Sequence, residues 1–259
     1  MTSNQRMPVI FTGHGSPLNI ITENPAREGW KRIAEQLEKP KCIIAVSSHW
    51  RTEGFTGVRT APKNRQVFDL YGYPKELYEI TYEPPGDPAM AKEVLQCLGK
   101  EASEDNSWGI DPSIWSVLMN MYPEADVPVV MVSVNTAATN SQLCEIGRKL
   151  KGLRDQGTMI LASGNIVHNL RVVNWQNPAG EAWADLFDQE LTDAIRNGDF
   201  EVPLRPMFLP YAAKAIPTGE HYAPLVVALG AVDPKEMVTV FNEFRQYGSV
   251  SMTSYLWEV

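Results

Sequence analysis

Apolar runs and helical periods alternate along the chain. Residues 8–12 form a short apolar run that stops at Gly13-His14-Gly15-Ser16-Pro17. Residues 42–47, 127–133 and 158–163 are continuous apolar runs, the pattern of strands covered on both faces. Between them lie amphipathic stretches with helix-start chemistry, such as Asn24 before Pro25 and Asp87 before Pro88. The pattern predicts helices over 25–38, 88–99, 113–121, 141–151 and 179–196, the last stopped by Asn197-Gly198. Residues 51–85, rich in Tyr, Pro and Gly, read as short strands and a long loop. Residues 101–112 read as a loop whose acidic Glu101, Glu104 and Asp105 face solvent, and 203–217 as a Pro-rich passage. Residues 237–247 and 250–257 read as a hairpin turning at Gly248-Ser249. The repeated strand–helix order predicts an α/β fold. The expectation is a single domain over 1–259, with a central mainly parallel sheet flanked by helices and antiparallel C-terminal edge strands.

Composition narrows the function classes. Hydrophobic residues at 44% and charged residues at 21% are ordinary globular usage, which excludes collagen-like, coiled-coil and disordered chains. Lys+Arg 23 against Asp+Glu 31 gives −8, and no basic run offsets it, so nucleic acid and anionic membrane surfaces are poor partners. Cys42, Cys97 and Cys144 are odd in number and lack a CxxC spacing. They read as free thiols in a reducing cytoplasm, not as a disulfide framework. Residues 1–8 are polar with one Arg6 and lack a signal-peptide run, and no stretch approaches the ~20 apolar residues of a membrane helix.

The four histidines change the picture. His14 follows the first strand, His49 ends the second, His168 trails the 158–163 strand, and His221 lies in a Gly/Pro-bounded segment. Carboxyl ends of parallel strands share one crevice, where ligands bind. Separate segments would therefore bring histidines together, as a metal site requires, and imidazole suits Fe, Zn, Cu and Ni. Each histidine alone also fits a satisfied loop or core role: His49 beside Trp50, or His221 partnering Glu220. Other chemistries lack their signatures: there is no phosphate loop, no GxSxG elbow and no cysteine nucleophile motif. Tyr71, Tyr73, Tyr78 and Tyr82 suit either the core or the wall of an apolar pocket.

Four motifs carry a resemblance over nearly the whole chain. Gly13-His14-Gly15-Ser16-Pro17, Ser47-Ser48-His49-Trp50, Ser163-Gly164-Asn165 with His168-Asn169-Leu170, and Gly219-Glu220-His221-Tyr222-Ala223-Pro224-Leu225 resemble the class III extradiol ring-cleavage dioxygenases, in their DOPA 4,5-dioxygenase-like branch. The resemblance implies a mononuclear non-haem Fe(II) site on His14, His49 and His221, with Glu220 as the alternative carboxylate ligand. It implies His168 as acid/base, or as a fourth ligand when Zn(II) occupies the site. It further implies a small aromatic diol opened with O2 to a semialdehyde acid, in a pocket that includes Ser16, Tyr71, Trp115, Asn169 and Tyr222. A homo-oligomer is compatible with it. The chain departs from the branch at Asp111-Pro112-Ser113, where Pro112 stands in place of a His. A zinc hydrolase, or a non-catalytic binding protein of the Memo type, would use the same site differently.

Overall fold

The computed structural model describes residues 6–259. The reading of residues 1–8 as a polar start therefore lies, for 1–5, outside the described residues. The strands are β1 (Val9–Gly13), β2 (Cys42–Thr52), β3 (Thr56–Val58), β4 (Ala102–Glu104), β5 (Val129–Asn135), β6 (Thr158–Gly164), β7 (Met237–Phe241), β8 (Arg245–Gln246), β9 (Val250–Ser251) and β10 (Ser254–Glu258). The helices are α1 (Pro25–Gln36), α2 (Lys75–Tyr78), α3 (Pro88–Leu98), α4 (Pro112–Met121), α5 (Asn140–Leu150), α6 (Ala182–Arg196), α7 (Glu201–Leu204), α8 (Ala212–Ala215) and α9 (Ala223–Ala231). Eight strands form one sheet in the order β4-β3-β5-β2-β6-β1-β10-β7. Its centre, β5-β2-β6-β1, is parallel. β10 pairs antiparallel to β1, and β7 forms the outer edge.

The continuous apolar runs follow from coverage on both faces. Phe11, Ile44, Val46, Val130, Val132, Ile160 and Ala162 point into one core, with α3, α5, α6 and α9. Ile10, Ile43, Ala45, Val129, Met131, Met159 and Leu161 point into the other, under α1 and α4. Alternate side chains leave a strand on opposite faces, so a strand buried twice has no polar row.

Several helix starts are local. Asn24 Oδ1 accepts from the backbone of Ala26 and Arg27, Asp87 caps α3, and Thr139 closes a capping box with Gln142 on α5. Three expectations change. Helix α9 was not foreseen, because all nine of its residues are buried and it has no polar face to betray a 3.6-residue period. Residues 102–104 are not plain loop but an edge strand parallel to β3, although Ser103 and Glu104 stay exposed. The C-terminal hairpin pairs β7 with β10 as expected, but its tip peels off the sheet into a separate β8–β9 ribbon. The ribbon also shortens α6: Gly248 N donates to Ala179 O, holding 179–181 outside the helix.

Candidate metal centre

Gly13 and Gly164 end β1 and β6 side by side in register. A Cβ on Gly13 would lie 2.7 Å from Ser251 O, and one on Gly164 would lie 2.1 Å from His221 O. These bare ends let the β8–β9 ribbon and the loop before α9 press onto the sheet. The backbone then ties the pieces together. His14 N donates to Gly164 O (3.2 Å), Asn165 N to His221 O (2.9 Å) and His168 N to Ala215 O (3.0 Å). Asn165 Nδ2 reaches Ser251 O at 2.7 Å. Gly164→Ala is therefore expected to push the His221 carbonyl away. It should cost about 1–3 kcal/mol, the usual range for overpacking, and weaken zinc binding. A thermal melt and a zinc titration check this; unchanged values in both would refute the close-approach argument.

His49 does not end β2 but lies within it, three residues before its last residue Thr52. The β2–β5 register runs to Ser47↔Ser133 and resumes at Arg51↔Val134, so residues 48–50 bulge out of the ladder. Ser47 Oγ accepts from His49 N (3.1 Å) and Trp50 N (3.3 Å) and donates to Asp111 Oδ2 (2.5 Å). Asp111 caps α4 and also accepts from Trp108 Nε1 at 2.8 Å. Burial pushes its carboxyl up, against the pull of His49 and of these donors.

The ring nitrogens of His14, His49 and His221 lie within 4.8 Å of one another, the one such group of metal-capable side chains among the described residues. Each Nδ1 faces an oxygen. Ser163 Oγ gives its proton to Ser113 O (2.6 Å), so at 3.0 Å it must accept from His14 Nδ1. Glu220 Oε1 lies 3.4 Å from His221 Nδ1. Asp69 Oδ2 lies 2.9 Å from His49 Nδ1, an ion-pair approach off the hydrogen-bond axis, and neither His49 Nδ1 nor Asp69 Oδ1 has a hydrogen-bond partner. On His14 and His221 the acceptor at Nδ1 fixes the tautomer that offers Nε2 as a lone pair, the usual support for metal-bound imidazole.

Protonation works the same way. Burial first, then the neighbouring imidazoles, hold His14 well below its ordinary value. Burial lowers His221 against the pull of Glu220. His49 differs: burial would lower it, but Asp69 and Asp111 outweigh burial and raise it. The residues present thus fit a divalent cation: three convergent imidazoles, with carboxylates behind two of them.

His168 stands outside this group. Its ring lies parallel on His221, with centroids 3.6 Å apart, and burial and His221 bring it down to about 2. Glu220 sits behind His221, and the hydrogen bond from His221 holds its carboxyl at about 2. In front of the triad opens a cavity of about 210 Å³, reached by all four histidines. Ser16 and Tyr71 line it, and Ser16 also caps the turn at Pro17–Ile20.

Three residues expected in the pocket lie elsewhere. Trp115 is fully buried in the core under α4, its Nε1 donating to Val67 O. Tyr222 is buried among the α9 contacts and donates to Pro203 O. Asn169 turns inward to Lys214 O and caps the turn at Leu170–Val172. Pro112, buried at the first position of α4, is also outside the cavity lining. The walls that sequence reading missed come from distant loops: Asp69, Trp175 and Tyr247. Of the four tyrosines in 71–82, Tyr71 and Tyr73 reach the cavity, and Tyr82 is core, its hydroxyl on Tyr122 O.

Comparison with known proteins places this arrangement. Residues 10–255 match the family described as the catalytic LigB subunit of aromatic ring-opening dioxygenase. The chain is 38% identical over 259 residues to a protein of Escherichia coli (strain K12) named 4,5-DOPA dioxygenase extradiol, covering 97% of this chain and 95% of that one. It is 31% identical over 254 residues to a Beta vulgaris protein of the same name, covering 95% of this chain and 94% of that one. The crystal structure of an uncharacterized Escherichia coli K12 protein superposes with a TM-score of 0.84 at 34% identity, covering 97% of this chain and 99% of that chain.

Proposed function

The chain belongs to the LigB family of aromatic ring-opening dioxygenases, and from that premise we propose that it opens a catechol such as DOPA with O2 at Fe(II) held by His14, His49 and His221. It is an extradiol ring-cleavage dioxygenase. The observation that carries the metal assignment is the triad itself: three ring nitrogens within 4.8 Å, beside an open cavity. Bound there, Fe(II) would supply a Lewis acid for the two hydroxyls and a redox link between diol and O2. Both atoms of O2 end in the semialdehyde acid, so no external reductant is needed.

The chain's own residues do the rest. Ser163, Asp69 and Glu220 hold the three imidazoles in orientation. His168, neutral and at the cavity wall, accepts a proton from a substrate hydroxyl and returns it as the ring opens. We read His168 as acid/base and not as a fourth ligand, because it lies outside the group of convergent nitrogens. Tyr73 and Trp175 wall the substrate off from water. Zn(II) binds nitrogen-rich sites more tightly than Fe(II), so it competes for the site and must be removed before Fe(II) is loaded. Among the described residues no helix is long and apolar enough to cross a membrane. The free thiols suit a reducing compartment, and we assign the enzyme to the cytoplasm.

The test is oxygen uptake and growth of semialdehyde absorbance across a catechol panel, with and without Fe(II). No oxygen consumption with any catechol would end the ring-opening reading. His168→Ala is expected to keep its metal and lose about 10²–10⁴-fold in turnover, the range for general acid–base catalysis. Full turnover in that variant would remove His168 from the reaction.

A further inference from the structure

The mouth of the cavity is aromatic and short of cations. Trp175 and Tyr247, from separate segments, pack with ring centroids 4.9 Å apart. Tyr73 lines the same cavity as Ser16 and Tyr247. Trp175 is 56% exposed and Tyr71 90% exposed, so large apolar faces are left in water around a concave opening. Such a cluster marks a place where something binds. Among the described residues no lysine or arginine lines this cavity, and apart from its histidines its one charged side chain is Asp69; Arg51 and Glu220 line a separate pocket that shares His49, Asp69 and His221. Arg171, next in the chain to rim residue Leu170, is exposed and outside the lining.

A catechol whose diol faces the triad must place its ring substituent at this mouth. A carboxylate there would shed water without gaining a lysine or arginine partner from the cavity lining. An ammonium would meet the electron-rich faces of the rings instead. We propose that the cavity selects catechols whose side chain ends in an ammonium group, held at the Tyr73–Trp175–Tyr247 mouth, over those ending in a carboxylate. This rests on the ring-opening reading of the site. An amino-acid side chain, carrying both groups, is then recognised through its ammonium end.

The test is calorimetric binding to the zinc-loaded protein, in which the diol is not turned over. The probes are dopamine, ethylcatechol and dihydroxyphenylacetate, which share the diol and differ at the tail. Dopamine should bind roughly tenfold tighter than dihydroxyphenylacetate, with ethylcatechol between them. Trp175→Leu keeps apolar bulk but removes the π face, and should lower the affinity for dopamine roughly three- to tenfold more than that for ethylcatechol. Equal or tighter binding of the acid, or an indifferent Trp175→Leu, overturns the tail selectivity and leaves the ring-opening reading standing. Failure of all three probes to bind removes both.

Discussion

Replacing His221 with alanine is expected to strip the metal from the protein and abolish ring opening, while Glu220→Ala only weakens metal binding, by about 10–100-fold. The difference follows from position. His221 offers one of three nitrogens within 4.8 Å of one another, whereas Glu220 meets the far nitrogen of that ring at 3.4 Å. Removing a ligand leaves two nitrogens and an open site; removing the carboxylate leaves the ligand set whole but less firmly oriented. Metal per chain after dialysis, followed by titration with zinc, measures both variants. Both should melt near the parent temperature, because the fold rests on cores elsewhere. Retention of metal in His221→Ala with loss in Glu220→Ala would make the carboxylate the third ligand.

The largest stability effect is expected far from the triad. The Arg154 side chain is fully buried and faces Glu236, 4% exposed, through paired contacts of 2.9 and 3.0 Å. It also donates to Met7 O (2.6 Å) and Ala231 O (2.8 Å). One guanidinium thus joins the entry to β1, the end of α9 and the approach to β7. Arg154→Ala leaves two carbonyls without that donor, and leaves the buried Glu236 carboxylate only Arg6, 3.9 Å away. Breaking such a pair from one side costs about 3–5 kcal/mol, which for a chain of this size lowers the melting temperature on the order of 10 °C. The folded fraction should still bind one metal per chain. A melt unchanged within error would mean that the pair contributes no more than an exposed one.

The sheet was legible because its centre is buried twice: Ile43-Ile44-Ala45-Val46 has no polar side to hide. Residue types and order alone were enough to single out the four histidines. What lay out of reach was anything set by tertiary approach. Helix α9 is apolar all round, so no periodicity could mark it. The bulge at residues 48–50 depends on Ser47 meeting Asp111, sixty-four positions away. Trp115 drew attention through the motif before it, yet it lies on a helix whose face is wholly core. Trp175 and Tyr247 sit in segments with no motif, and only the β8–β9 ribbon folding back onto the sheet brings them together.

The pairing of β1 with both β6 and β10 has a consequence for how the molecule comes into being. Val9 lies opposite Ile160 on one side and Trp257 on the other. Contacts of such long sequence separation pay their loop-closure entropy before they gain anything, which slows folding. As the chain leaves the ribosome, His14 cannot meet His221 until the more than two hundred residues between them have followed. No nascent fragment can hold the metal in its final setting. A cation held by all three imidazoles can thus be bound only after residue 221 has joined the fold.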